Sequence, residues 1–250
     1  MTVATAALWM SRLAAIATAV AALELIVVHG ALSTGVYRWS VVRRGLPFGL
    51  VGDVIFASPW PVLIVQLASA LALPWTSYAF VPWLAFTSTF SIAIRFRGTY
   101  NGGSDAMLLV VLLALALVRT DSRLALAGLG YAAVQLVLSY AISGFAKLRE
   151  PRWRNGTALD TLVRLPHYNV PPRLVSILTS PAARLATFAM LGFECLFPIA
   201  LFDPTVCVVA LVGAAAFHLV NAIVFGLNRF LWAWLAAFPA LLFWVERLHA

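Results

Sequence analysis

Residues 205–226 read TVCVVALVGAAAFHLVNAIVFG, twenty-two in a row without an acid, a lysine or an arginine. A bilayer core about 30 Å thick takes about 20 apolar residues to cross as an α-helix. This stretch is long enough, and the rest of the chain resembles it. Of 250 residues, 63% are hydrophobic and 10% charged, where a soluble domain carries roughly 25% charged. The mean hydropathy is +0.96. Nine acids and seventeen bases cannot cover so much apolar surface in water, because exposed patches of it drive association. The chain therefore reads as an all-α, polytopic integral membrane bundle, a single domain over residues 1–250.

Dividing the apolar runs by the length of a span predicts about eight transmembrane helices: 7–31, 60–75, 77–95, 105–119, 124–147, 184–202, 205–226 and 229–246. The second and fourth are short, and Pro59, Pro61 and Pro74 stand near the ends of the second, which suits tilted or broken helices. The first run is longer than the core of a signal peptide and is interrupted by Glu24, so it reads as a span rather than a cleaved leader. Two connections are long, 32–59 and 148–183. In the second, TALDTLVRL suits a short interfacial helix capped by Thr157 with Asp160 three residues later. Its apolar anchors Trp153, Leu159, Leu162, Leu174 and Ile177 fit either a lid over a cavity or a helix resting on headgroups.

The isoelectric point of 10.3 raises the question of nucleic acid. The arginines, however, fall in short connections between apolar segments, which is the positive-inside pattern rather than a groove-facing stripe. No nucleic-acid partner is expected. Odd-numbered connections hold most of the bases, Arg95 and Arg229 among them, against Arg119, Arg123 and Arg247 on the even side; the odd ones are assigned to the cytoplasm, with both termini outside. The expected location is a bacterial cytoplasmic membrane, in contact with lipid. Cys195 and Cys207 form neither a disulfide framework nor a metal-binding spacing, and no metal site is expected.

Ionisable groups inside spans are costly and mark function by default. Glu24 and His29 lie on the first span, Asp105 opens the fourth, Lys147 closes the fifth, Glu194 sits midway in the sixth and His218 near the middle of the seventh. Lys147 is the sole lysine; every other basic residue is arginine. Arginine keeps its proton at any workable pH, whereas a desolvated lysine can lose its own and act as a base. The alternative is a lysine that snorkels from a helix end. Ser143, Tyr140 and Ser139 share its helical face, a polar stripe in an apolar span. Glu194 is read as either paired with an arginine or proton-handling, with Pro198 kinking the helix beside it. His218 and Asn221, three apart, point the same way. Asp105 follows YNGGS, where two glycines permit a sharp turn and Ser104 or Asp105 starts the next helix.

Three stretches, RGTYNGGSDAMLL (97–109), YAISGFAKLREPRWRNGTAL (140–159) and ECLFPIALF with AFHLVNAIVFGLNRF (within 194–230), resemble the vitamin K-dependent gamma-glutamyl carboxylase family, whose membrane portion is the horizontally transferred transmembrane domain. The second is the most specific, with G-x-x-K-L followed by W-x-x-G, and it puts Lys147 on the family's catalytic lysine. The resemblance implies that Lys147 deprotonates a hydroquinone, that O2 adds to the phenolate, and that an epoxide and a strongly basic alkoxide follow. In the carboxylases that alkoxide removes a glutamate proton and CO2 adds. No tightly bound cofactor is implied; hydroquinone and O2 enter as substrates. His218, Asn221, Glu194, Asp105, Asn101, Tyr140 and Trp153 are the expected substrate contacts. Two departures stand out. Gly103 replaces a family histidine, and the family's large lumenal substrate-docking domain has no counterpart here.

The first expectation is thus a hydroquinone-dependent oxygenase giving an epoxyquinone-type product. A second is glutamate carboxylation with a separate peptide or protein partner. A third is a non-catalytic membrane subunit that binds quinone, lipid or another protein.

Overall fold

Two of the long helices begin where an aspartate relieves the first unbonded amides, and one of these ends at a glycine. The Asp121 carboxylate accepts from the Arg123 amide at 2.7 Å. That of Asp203 accepts from Thr205 and Val206 at 2.7 and 3.0 Å. Gly226, with φ of +69°, closes the helix that Asp203 opened. The computed structural model describes residues 1–35, 37–45, 49–95, 102–179 and 181–250. In chain order its helices are α1 (Val3–Val27), α2 (His29–Ser33), α3 (Trp39–Val42), α4 (Gly49–Phe56), α5 (Trp60–Ala72), α6 (Phe80–Arg95) and α7 (Gly102–Thr120). There follow α8 (Ser122–Arg149), α9 (Pro151–Arg154), α10 (Ala158–Val163), α11 (Pro172–Leu178), α12 (Pro181–Leu196), α13 (Pro204–Phe225) and α14 (Asn228–Leu248). No strand occurs among the described residues.

The eight expected spans correspond to α1, α5, α6, α7, α8, α12, α13 and α14. Six are long and apolar enough to cross a membrane: α1, α7, α8, α12 with its following turn, α13 and α14. The other two, at 13 and 16 residues, fall short of the roughly 20 a full crossing takes. The α-helical part of α12 ends at Leu196, and the backbone continues as a 3-10 turn over Phe197–Leu201, where Pro198 removes an amide.

Helix α14 sits at the centre, packed on α1, α7, α8 and α13, while α12 lies against α8 and α13 leans mainly on α14. Small side chains make this possible. Ala6, Ala14, Ala17 and Ala21 recur on the buried face of α1, and Ala233, Ala236, Ala237 and Ala240 on that of α14. Between helices in lipid, close van der Waals approach replaces the hydrophobic effect as the driving force. Gly128 carries the same logic to the α7/α8 crossing, where a Cβ would stand 2.7 Å from the Ala114 carbonyl oxygen.

Three arginines counted as topology signals are internal instead. Arg95 is buried and donates to the carbonyls of Phe56 and, at 2.7 Å, Leu32, tying α6 to the 32–59 connection. Arg119 donates to Ser11 and to the Leu73 carbonyl at 2.7 and 2.8 Å. Arg229 pairs with Asp105. Carbonyls freed at helix ends and buried acids need donors, and arginine supplies several from one side chain. In the 32–59 connection, Trp39 and Arg43 both hold Asp53, at 2.6 and 3.2 Å. Near the chain's end the terminal amine of Met1 pairs with Glu246 and His249 bonds the Leu201 carbonyl, both side chains remaining in contact with the surface.

Candidate functional site

The site starts from a glycine. A Cβ at Gly144 would stand 2.7 Å from the amide nitrogen of Cys195, 2.8 Å from its Sγ and 3.0 Å from the carbonyl carbon of Glu194. Only a residue without a side chain lets the α12 backbone lie directly on α8 here. Three residues on, Lys147 meets Glu194. The amine stands 2.5 Å from both carboxylate oxygens and 3.0 Å from Ser143 Oγ, and lies 5.1 Å from the centre of the Trp153 ring. Glu194 is 3% exposed and Lys147 20%.

This geometry supplies partners that the sequence did not show. The amine does not sit alone in apolar surroundings; it has a carboxylate partner, because a lone buried charge is far more costly than a hydrogen-bonded pair. Glu194, expected to face an arginine or handle protons, is bound to the lysine.

The W-x-x-G half of the same sequence element has its own local reason. Trp153 lies over the amine as a cation–π partner. Gly156 has φ of +69°, a left-handed turn that glycine adopts without strain, and it lies against the Arg184 side chain. The turn folds α9, α10 and α11 back over the bundle. Thr157 precedes α10 but does not cap it through its side chain. Its hydroxyl donates to the Arg152 carbonyl instead, and Asp160 pairs with Arg164 at 3.0 Å.

Lys147 and Glu194 stand on the wall of a cavity of about 760 Å³ bounded by α7, α8, α12, α13, α14 and this cap. Trp153, Leu159, Leu162, Tyr168 and Leu178 of the cap line it, so the segment covers the cavity as well as flanking the bundle. Ile142 and Val220 also line it, yet are 64% and 52% exposed. The cavity wall therefore reaches the outer surface of α8 and α13. At its inner end the Tyr140 hydroxyl and His218 Nε2 are 2.6 Å apart. Tyr140 is stacked on Phe197 and His218 packs on Trp234.

Of the residues anticipated from sequence, Lys147, Glu194, His218, Asn221, Tyr140 and Trp153 all line this one cavity, although they come from four elements. Asp105 does not. Its carboxylate is taken by Arg229, whose Nε is 3.6 Å from Glu24, and Gly103 rather than Asp105 contributes to the wall. Asp105 also lies in the first turn of α7 rather than at its start. Asn101 lies outside the described residues. Sequence reasoning missed Gln135, Thr187, Phe230 and Trp234. Gln135 was findable, since 135, 139, 143 and 147 are spaced by four and all line the cavity. Trp234, inside FLWAW, is easily taken for an interfacial aromatic belt.

Chemically, the arrangement offers a hydrogen-bonded amine and carboxylate on the wall of a largely apolar chamber, and an aromatic, hydrogen-bonding inner end. A comparison with known proteins returned no matching family model, no matching curated protein and no matching solved structure.

Proposed function

We propose that this chain is a membrane oxygenase that deprotonates a hydroquinone at the Lys147–Glu194 pair and combines the resulting phenolate with O2. The observation that carries the reading is the pair itself, an amine bridging both oxygens of a buried carboxylate at 2.5 Å on the wall of an apolar cavity within the spans. In the proposed step Lys147 passes its proton to Glu194 across that contact and the free amine accepts the phenolic proton. The re-formed ammonium then stabilises the phenolate in a medium of low dielectric. The electron-rich ring adds O2; one oxygen atom stays as an epoxide and the other leaves as water. The hydroquinone supplies its two hydrogens to that water, and no outside reductant is needed. Trp153 and the cap exclude bulk water from the oxygen adducts. The resemblance of residues 140–159 to the carboxylase element supports the same assignment.

The test is oxygen uptake by the purified chain, in lipid nanodiscs, with a panel of hydroquinones. The expected product carries one oxygen atom more than the corresponding quinone. Lys147→Ala and Lys147→Arg are expected to abolish turnover while the protein melts cooperatively. An active Lys147→Arg sinks the base assignment, because guanidinium does not release its proton. Incorporation of labelled bicarbonate into a glutamate peptide points instead to carboxylation. Co-purification with a stoichiometric partner and indifference to Lys147 point to a non-catalytic subunit.

A further inference from the structure

The two ends of the bundle carry different charge. Arg119, at the close of α7, reaches Ser11 near the start of α1 and the carbonyl of Leu73 just beyond α5. At that end the exposed Arg12, Arg123 and Arg247 are matched by Asp121, Asp203 and Glu246. At the opposite end Asp105 and Arg229 join the starts of α7 and α14, and the cap runs from the close of α8 to the start of α12. Arg149, Arg152, Arg154, Arg164, Arg173 and Arg184 are all exposed there. Of these, only Arg164 has an ion-pair partner among the described residues, Asp160 at 3.0 Å. Glu150 is the one other acid between Arg149 and Arg184, so this surface is strongly positive.

Charge alone suits many acidic partners, and the apolar neighbours choose among them. Arg149 and Phe145 on α8, Arg173 and Ile177 on α11, and Arg184 and Phe188 on α12 are each four residues apart, hence side by side on one helical face. Phe145, Ile177 and Phe188 are 55%, 62% and 41% exposed. Helices α8 and α12 are spans, and these arginines stand close to their cap ends. Helix α11 is not a span; its Leu178 lines the cavity while Arg173 and Ile177 face outward. An exposed isoleucine beside an exposed arginine, at the level where spans end, is the pattern of a helix lying in the membrane interface. Its apolar side chains enter the acyl boundary and its guanidinium groups stay among the headgroups. A soluble acidic protein meets the arginines equally well but gives Phe145 and Phe188, on the walls of spans, nothing.

We infer that the outer face of the cap, with the adjoining turns of α8 and α12, is a docking surface for anionic phospholipid headgroups. Arg173 and Arg184 meet the phosphates while Ile177 and Phe188 enter the acyl boundary. An anionic leaflet attracts such a basic interfacial segment more strongly than a zwitterionic one. The inference goes beyond the hydroquinone reading and does not depend on what the cavity holds.

The test places the full chain in nanodiscs of equimolar dioleoylphosphatidylcholine and dioleoylphosphatidylglycerol, which share their acyl chains and differ in headgroup charge. Native mass spectrometry of the released protein counts the lipids it retains. Phosphatidylglycerol is expected to be retained in preference. The double variant Arg173→Gln with Arg184→Gln is expected to lower its affinity about fivefold for each arginine, the equivalent of about 1 kcal/mol apiece near an anionic surface. Glutamine keeps the Cβ and Cγ of residue 184, and it is the arginine's Cγ that lies against Gly156. Arg123→Gln with Arg247→Gln removes the same charge from the opposite end and is expected to leave the preference unchanged. Equal losses from the two double variants overturn the docking surface, because net charge alone is then being read. Equal retention of the two lipids by the parent chain also overturns it, and needs no variant. So does binding of polyglutamate by a chain that shows no lipid preference, which assigns the face to a soluble acidic partner.

Discussion

Gly144→Ala tests the packing that brings the amine and carboxylate together. The added methyl would stand 2.7 Å from the Cys195 amide nitrogen, whereas ordinary contact begins at 3.4 Å, so α12 must retreat by about 0.7 Å. Glu194 is the neighbouring residue on that backbone. If it moves rigidly with Cys195, its 2.5 Å contact with Lys147 opens to about 3.2 Å. Overpacking of this kind costs about 1–3 kcal/mol, partly offset by the 0.5–1 kcal/mol that alanine gains over glycine inside a helix. The net expectation is a loss of about 1–2 kcal/mol, a fall in melting temperature of roughly 3–6 °C, with hydroquinone-dependent oxygen uptake reduced more than stability alone explains. Gly192→Ala is the matched control, since the same methyl on α12 meets nothing within 4 Å and gains only the propensity term. The assay is thermal unfolding of both variants in one detergent, with oxygen uptake measured alongside. If the two alanines stabilise the protein equally, α8 and α12 do not approach at Gly144 and the explanation of G-x-x-K fails.

Glu194→Met leaves a partly buried ammonium unpaired and is expected to lose about 3 kcal/mol; Lys147→Met with Glu194→Met should regain most of that without regaining turnover, because a buried ion pair replaced by apolar side chains of similar volume is often neutral in stability. A double variant as unstable as the single, measured by denaturant titration, contradicts this. Arg229→Met removes the guanidinium that pairs with the buried Asp105 carboxylate and is expected to lose about 3 kcal/mol, with Asp105→Asn in the same chain recovering part of it. The amides of Val206 and Thr205 hold the exposed Asp203 carboxyl below the ordinary 3.8. A carboxyl depressed by folding stabilises above its unfolded value and loses that contribution as pH falls through the folded one. The melting temperature of the parent chain should therefore exceed that of Asp203→Asn at neutral pH, and the gap should close below 3.8; a gap independent of pH contradicts the capping role.

The bilayer made much of this fold legible, since it demands long apolar segments, and all eight expected segments form helices. Length was the harder matter. Pro74 announces a stop near Ala72, whereas nothing in 77–95 announces that its helix begins only at Phe80. The site was half legible, because the spacing of Ser139, Ser143 and Lys147 follows from helical geometry alone, whereas the meeting of Lys147 with Glu194 depends on which helix α8 faces. The partner of Asp105 was hidden for the same reason, as Arg229 lies 124 residues away. Arg95 and Arg119 were misread because a basic residue near a helix end looks the same in sequence whether it reaches headgroups or caps internal carbonyls. Trp234 was passed over because aromatic residues near a span's end have an ordinary interfacial explanation.

The reach of the cavity wall to the outer surface at Ile142 and Val220 has a consequence for any measurement on this protein. A ligand that enters there is drawn from a two-dimensional reservoir, and its occupancy follows its mole fraction among the lipids rather than its concentration in the buffer. Adding empty vesicles at fixed total ligand should dilute it and raise the apparent half-saturation point in proportion to lipid, while a ligand entering from water and poorly soluble in lipid would be indifferent to that addition.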